Sequence, residues 1–200
     1  MTQSLLGSLL TKNHVELKDL RGKSASWFRA QIADMRKITT MKPESFMRGD
    51  VGSKGNMIVP GHMYMFVYDP KHKETLPYYD TFPLVFPFAK DGNSFTCLNL
   101  HYLPYDLRAK LLDRLLEFRN NTKMDEHTKL RFSWQVISGV SKFAIAAPCV
   151  KKYLFSHVQT QFKAIHSSDW ATAMLLPVEQ FRGASVNEIW RNSTNAARKV

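Results

Sequence analysis

Side chains able to do chemistry are sparse in this chain, and their spacing restricts what they can do. A Mg²⁺-dependent nuclease centre needs an acidic residue and a later Asp/Glu-x-Lys, so that carboxylates hold the metal beside the scissile phosphate. Glu16-Leu17-Lys18 is the only E-x-K, and no acidic residue precedes it. A solvated helix face is the expected role there, with a nuclease as the weaker reading. Cys97, Asn99 and His101 are spaced to share one face of a strand. One Cys and one His make half a tetrahedral metal site, which His62 and His157 would complete only through the tertiary fold. A buried thiol and a hydrogen-bonded imidazole are expected instead, with no metal and no cofactor. The chain contains no GxxxxGK[ST] loop, no GxSxG elbow and no HExxH helix. These patterns predict a protein that binds rather than catalyses.

What the chain has in quantity is charge and aromatic rings. Twenty-eight Lys and Arg against 17 Asp and Glu give a net charge of +11, which suits an anionic partner such as nucleic acid or an acidic protein. Residues 1–60 hold 10 basic and 5 acidic residues, residues 61–120 hold 7 of each, and residues 121–200 hold 11 and 5. Both flanks are therefore basic around a neutral centre. Arg29, Arg36, Lys37, Lys151, Lys152, Arg198 and Lys199 are the candidates for contact with phosphate or an acidic partner. The rings of Tyr64, Phe66, Tyr68, Tyr78, Tyr79, Phe82, Phe86, Phe88, Phe95 and Tyr102 lie in the neutral centre. A base-stacking platform needs cations along the backbone path, so these rings are expected in a core or a protein contact.

The elements that position these groups follow from periodicity. Trp27, Phe28, Ile32 and Met35 form an apolar stripe over residues 24–37, which predicts a helix whose Trp27, Phe28 and Ile32 bury against a neighbouring chain. Residues 42–56, with Pro43, Gly49, Gly52 and Gly55, read as a loop. Residues 62–69 alternate Met63, Met65 and Val67 with Tyr64, Phe66 and Tyr68, a strand with two distinct faces. Turn residues follow at 69–73. Residues 82–88 form a second strand, which Pro83 and Pro87 should confine to an edge. Asp91-Gly92-Asn93 turns the chain into a third strand over 94–101. Pro104 opens a helix with a Leu107, Leu111, Leu112, Leu115 and Leu116 stripe. Asp125 caps another through Leu130, Trp134 and Ile137, and residues 151–158 fit strand or helix equally. Ser168 or Asp169 starts a short helix ended by Pro177, and residues 185–197 form an exposed final helix.

The fold expected is α+β, a small antiparallel β-barrel or sheet flanked by helices, with an extended basic N-terminal arm. Residues 1–59 would be arm and linker, 60–182 the core domain and 183–200 a C-terminal helical tail. Two cysteines give no disulfide framework. No apolar run reaches the roughly 20 residues of a membrane span, and no basic n-region marks a signal peptide, so no membrane contact is expected.

Tyr68-Asp69-Pro70-Lys71, Leu76-Pro77-Tyr78-Tyr79-Asp80, Phe82-Pro83-Leu84-Val85 and Leu98-Asn99-Leu100-His101-Tyr102-Leu103 resemble proteins of T4-like and marine myoviruses. Pro148-Cys149-Val150-Lys151-Lys152-Tyr153-Leu154 and Leu176-Pro177-Val178-Glu179-Gln180-Phe181 extend the resemblance to about residue 181. Those proteins are labelled DNA end protector or virion structural protein. The resemblance implies a place in the virion, assembled in the host cytoplasm, and brings no catalytic residues. A structural subunit at the head vertex, neck or baseplate, docked on other virion structural proteins through basic arms, is the first reading. A virion protein that protects double-stranded DNA ends by contacting their phosphates is the alternative.

Overall fold

Residues 57–119, 121 and 123–198 are described by the structure, a computed structural model of the chain, together with Ala30. The rest of the expected helix over 24–37 lies outside the described residues, as does the expected loop over 42–56.

Alternation between His62 and Asp69 decides how the sheet is packed. Met63 and Met65 enter one core, and Tyr64, Phe66 and Tyr68 enter another, so both faces of this segment are buried. Strand β1 (Met63–Met65) is nonetheless short. The Val67 N–H donates to Thr160 Oγ1 at 3.0 Å, and Tyr68 keeps only an isolated bridge to Val158. The other strands are β2 (Tyr79–Asp80), β3 (Leu84–Asp91), β4 (Ser94–Asn99), β5 (Val150–Leu154), β6 (Lys163–Ile165) and β7 (Phe181–Arg182). Five of them form an antiparallel sheet in the order β5-β4-β3-β1-β6, and β2 pairs separately with β7. The edge strands β5 and β6 do not pair, so the sheet is open and no barrel closes. The α+β class holds.

Strand β3 lies at the centre of the sheet, against the expectation that its prolines would hold it at an edge. Pro83 precedes the strand. The Pro87 carbonyl accepts from the Gly61 N–H at 3.3 Å, so the Pro87 nitrogen faces that same side, beyond the point where β1 ends. The missing N–H therefore removes no bond from the β3–β4 ladder, whose register slips between Pro87 and Ala89. Strand β4 stops at Asn99, two residues before the expected end. There the Asn99 side chain accepts from the His101 N–H at 3.0 Å and winds Leu100–Tyr102 into a 3-10 turn. Residues 151–158, ambiguous in sequence, divide between β5 and a 3-10 turn over Phe155–His157.

Helices α1 (Tyr105–Arg119), α2 (Glu126–Val140), α3 (Trp170–Leu175) and α4 (Val186–Arg198) contribute to the larger core. The α1 stripe buries Leu111, Leu112 and Leu115 fully and Leu107 and Leu116 in part. Asp125 caps α2 by accepting from the Thr128 N–H at 2.8 Å. Asp169 stands at the start of α3 without a side-chain capping bond. Helix α4 is not simply exposed: Ile189, Trp190 and Ser193 are buried along one face. The second core is aromatic, with Phe66 edge-on to Phe95, Tyr153 and Phe162. No helix among the described residues is long and apolar enough to cross a membrane.

Candidate functional site

Consecutive residues of a strand point to opposite faces, and this separates the neighbours Lys151 and Lys152. On β5, Lys151 lies opposite Cys97 and Lys152 opposite Thr96. Lys152 reaches along its face to Asp91, with Nζ to Oδ2 at 3.1 Å between two exposed side chains. Lys151 takes the other face, its Nζ 4.2 Å from the centre of the Tyr102 ring. It is half-buried, and desolvation pushes its amine below the usual lysine range. Among the described residues no carboxylate pairs with it.

Lys151 borders a cleft of about 270 Å³ between β5 and the segment that leads from β1 to β2. Lys71 and His72 stand exposed on the turn at its mouth, and Tyr78 and Tyr79, half-buried, form a wall. The wall has a defined position because Gly183, at φ +87°, closes on Pro77 and Tyr78. A Cβ on Gly183 would meet the Pro77 carbonyl oxygen and come within 3.1 Å of Tyr78 Cα. Strand β7, which leads into this glycine, pairs Arg182 with Tyr79 and Phe181 with Asp80.

Under the cleft lies a buried polar network. Asp80 Oδ2 accepts from Asn99 Nδ2 at 3.0 Å and faces His101 Nδ1 at 2.8 Å, while Oδ1 accepts from the Phe82 N–H at 3.0 Å. Asn99 Nδ2 also donates to the Tyr153 hydroxyl at 2.9 Å. Burial opposes ionisation of Asp80, but the neighbouring His101 and the hydrogen bonds to His101, Asn99 and Phe82 hold its carboxyl below the usual range. Burial raises the phenols of Tyr102 and Tyr153 and the thiol of Cys97, and pushes Cys149 up to about 12. Tyr102 and Tyr153 line the cleft as neutral phenols, and the two thiols lie in the cores as neutral side chains.

A second network centres on Arg108, which is fully buried. Its guanidinium donates to the carbonyls of Leu103, Met174 and His101 and to Glu179 Oε1 at 2.6 Å. The rings of Tyr105 and Trp190 cover it. Sequence reading missed Arg108, although the signal is there: Arg108, Leu111, Leu112 and Leu115 share one helical stripe. It also passed over Asp69-Pro70-Lys71, which has D-x-K spacing. In the fold Asp69 pairs with Lys73 at 2.9 Å. Among the described residues, no three His, Cys, Asp or Glu side chains gather as metal ligands would. Cys97 and His101 part company, the thiol bonding to the Lys151 carbonyl at 3.6 Å and the imidazole to Asp80. His157 Nδ1 bonds to the Asp69 carbonyl at 2.8 Å.

Of the other residues singled out by sequence, Arg29, Arg36, Lys37, Lys199, Trp27, Phe28 and Ile32 lie outside the described residues, and Arg198 ends α4. The aromatic cluster is mostly core: Tyr64, Phe66, Tyr68, Phe82, Phe86, Phe95 and Tyr102 are buried.

An open antiparallel sheet with a tyrosine-walled cleft at its β5 edge defines an α+β protein. The chain belongs to the phage T4 terminal DNA protecting protein family, whose model matches residues 5–193. No curated protein and no solved structure matches it. The family bears out the resemblance to DNA end protectors, and it backs the end-protecting alternative better than the assembly-subunit reading.

Proposed function

We propose that this chain is a non-enzymatic phage protein, carried in the virion and made in the host cytoplasm, that binds double-stranded DNA ends and shields them from exonucleases. The family match over residues 5–193 carries this reading. The net charge of +11 supports it, because sequence-independent contact with phosphates is electrostatic. Basic side chains in the two flanks would grip the duplex, and the β5 cleft would face the end.

The test is protection of linear duplex against a processive exonuclease, with binding to linear and closed-circular DNA measured side by side. Protection together with tighter binding to linear DNA is expected. Equal binding to both forms and no protection would leave the assembly role as the function. A Lys71→Glu variant suits the comparison better than reversal of Lys151 and Lys152. Lys71 is exposed on a turn, whereas Lys152 is engaged by Asp91 and Lys151 is half-buried.

A further inference from the structure

Burying a cation is costly unless an anion compensates it. Lys151 is half-buried against Tyr102 and the described residues offer it no carboxylate. The one acid lining the cleft, Asp80, is already engaged by His101, Asn99 and the Phe82 N–H. Lys71 and His72 add further positive or proton-donating capacity at the mouth. The space therefore wants a compact anion, and its wall of Tyr78 and Tyr79 wants a planar group beside that anion.

Size narrows the ligand. A cleft of about 270 Å³ lies just under the roughly 300 Å³ at which small-molecule pockets begin, so it takes no ligand larger than a single nucleotide. A B-form duplex cannot enter it, since even the major groove alone is about 12 Å wide. An internal nucleotide would have to be flipped out of its stack at a cost of a few kcal/mol, whereas a terminal one frays with least loss. A terminal phosphate monoester also carries about −1.5 to −2 charges at pH 7, more than the single charge of a diester.

We propose that the β5 cleft receives the terminal nucleotide of a DNA strand, with its phosphate monoester on Lys151 Nζ and its base against Tyr78 and Tyr79. This rests on the end-binding reading and specifies what the end presents. A protein that protects ends by this route recognises the chemical terminus and not merely the charge density of the duplex.

The full chain tests it through binding to a hairpin duplex with one open end, in three forms: 5′-phosphorylated, 3′-phosphorylated and unphosphorylated. A dumbbell closed at both ends is the fourth ligand. One phosphorylated form is expected to bind about tenfold tighter than the unphosphorylated end, which corresponds to about 1.4 kcal/mol. Lys151→Gln should abolish that difference, while Lys151→Arg preserves most of it. Equal affinity for phosphorylated and unphosphorylated ends overturns the proposal, even if both outbind the dumbbell and end binding itself stands. A phosphate preference that survives Lys151→Gln also overturns it. Tight, Lys151-dependent binding of free deoxynucleoside monophosphate, with no preference among the duplexes, assigns the cleft to a free nucleotide instead and overturns it as a strand-end site. Should Lys151→Gln fail to fold, Lys71→Gln on the exposed turn must weaken the phosphate preference severalfold, and an undiminished preference there rejects the proposal.

Discussion

At the scale of single residues, the largest stakes lie with buried charges. Arg108 satisfies three backbone carbonyls and one carboxylate, so Arg108→Met would take the donor from the Leu103 and Met174 carbonyls. It would also leave the Glu179 carboxylate with only the 3.5 Å bond from the Tyr105 hydroxyl, while Trp190 Nε1 still reaches the His101 carbonyl. Breaking a buried pair on one side costs about 3–5 kcal/mol, and urea denaturation of the variant should show a loss of that order. Asp80 makes a pH-dependent contribution. Its carboxyl is held below the usual carboxylate range although burial opposes ionisation, because of the interactions with His101 and its hydrogen bonds. Such a group binds fewer protons folded than unfolded, so its stabilisation is present above the unfolded value and is lost as pH falls through the folded one. Melting temperature of the wild-type chain should therefore drop more steeply than that of Asp80→Asn as pH falls through and below the usual carboxylate range. Equal slopes would mean that folding does not hold the Asp80 carboxyl below its unfolded value. Neither network was legible in the sequence beyond a misplaced-looking arginine. Arg108 meets Glu179 71 positions later and Asp80 meets His101 21 positions later, and local spacing carries no record of such pairs.

At the scale of elements, period-two alternation told where side chains point but not which strand lies beside which. The division of residues 63–68 between two cores could be read directly, because it is a property of one strand. The central place of β3 could not. Proline normally excludes a strand from the middle of a sheet, and Pro87 is harmless there only because it lies beyond the N-terminal end of β1, beside Gly61. Strand β6 escaped notice because three residues are too short for a pattern. Helix α4 was recognised, but its buried face depends on a partner surface that the helix does not encode. The approach of Gly183 to Pro77 and Tyr78 is a further case, and it ties an element junction to the cleft. Gly183→Ala would hold a non-glycine residue in the left-handed region, at about 1–3 kcal/mol before any clash. A fall in melting temperature of roughly 4–8 °C follows for a loss near 2 kcal/mol in a chain of this size. Because the displaced atoms belong to the tyrosine wall, affinity for phosphorylated ends should weaken as well. A variant with wild-type melting and wild-type end affinity would show that this contact does not set the wall.

At the scale of the whole molecule, charge is distributed unlike the core. The described fold contains the neutral centre of the sequence, while 10 of the basic residues belong to positions 1–60, all outside the described residues. Composition therefore points to an anionic partner more readily than to a site: the cleft is distinguished by one desolvated lysine, and net charge counts that lysine no differently from Lys152 in its ion pair. Two kinds of contact with DNA are implied, and they respond differently to salt. Each phosphate neutralised by a flank releases counterions and contributes about 0.9 to the slope of log affinity against log salt. Contact of a base with a ring contributes little to that slope. Replacing Arg29, Arg36 and Lys37 together by Gln should then lower the slope by about 2.7 if each meets a phosphate, and should weaken linear and dumbbell DNA alike. Discrimination between phosphorylated and unphosphorylated ends should persist in that variant, because it belongs to the cleft. Titrations at four or five salt concentrations measure both quantities at once. An unchanged slope would remove the N-terminal flank from the DNA interface and return those three cations to a protein neighbour. A reduced slope accompanied by lost end discrimination would mean that flank and cleft act as one surface.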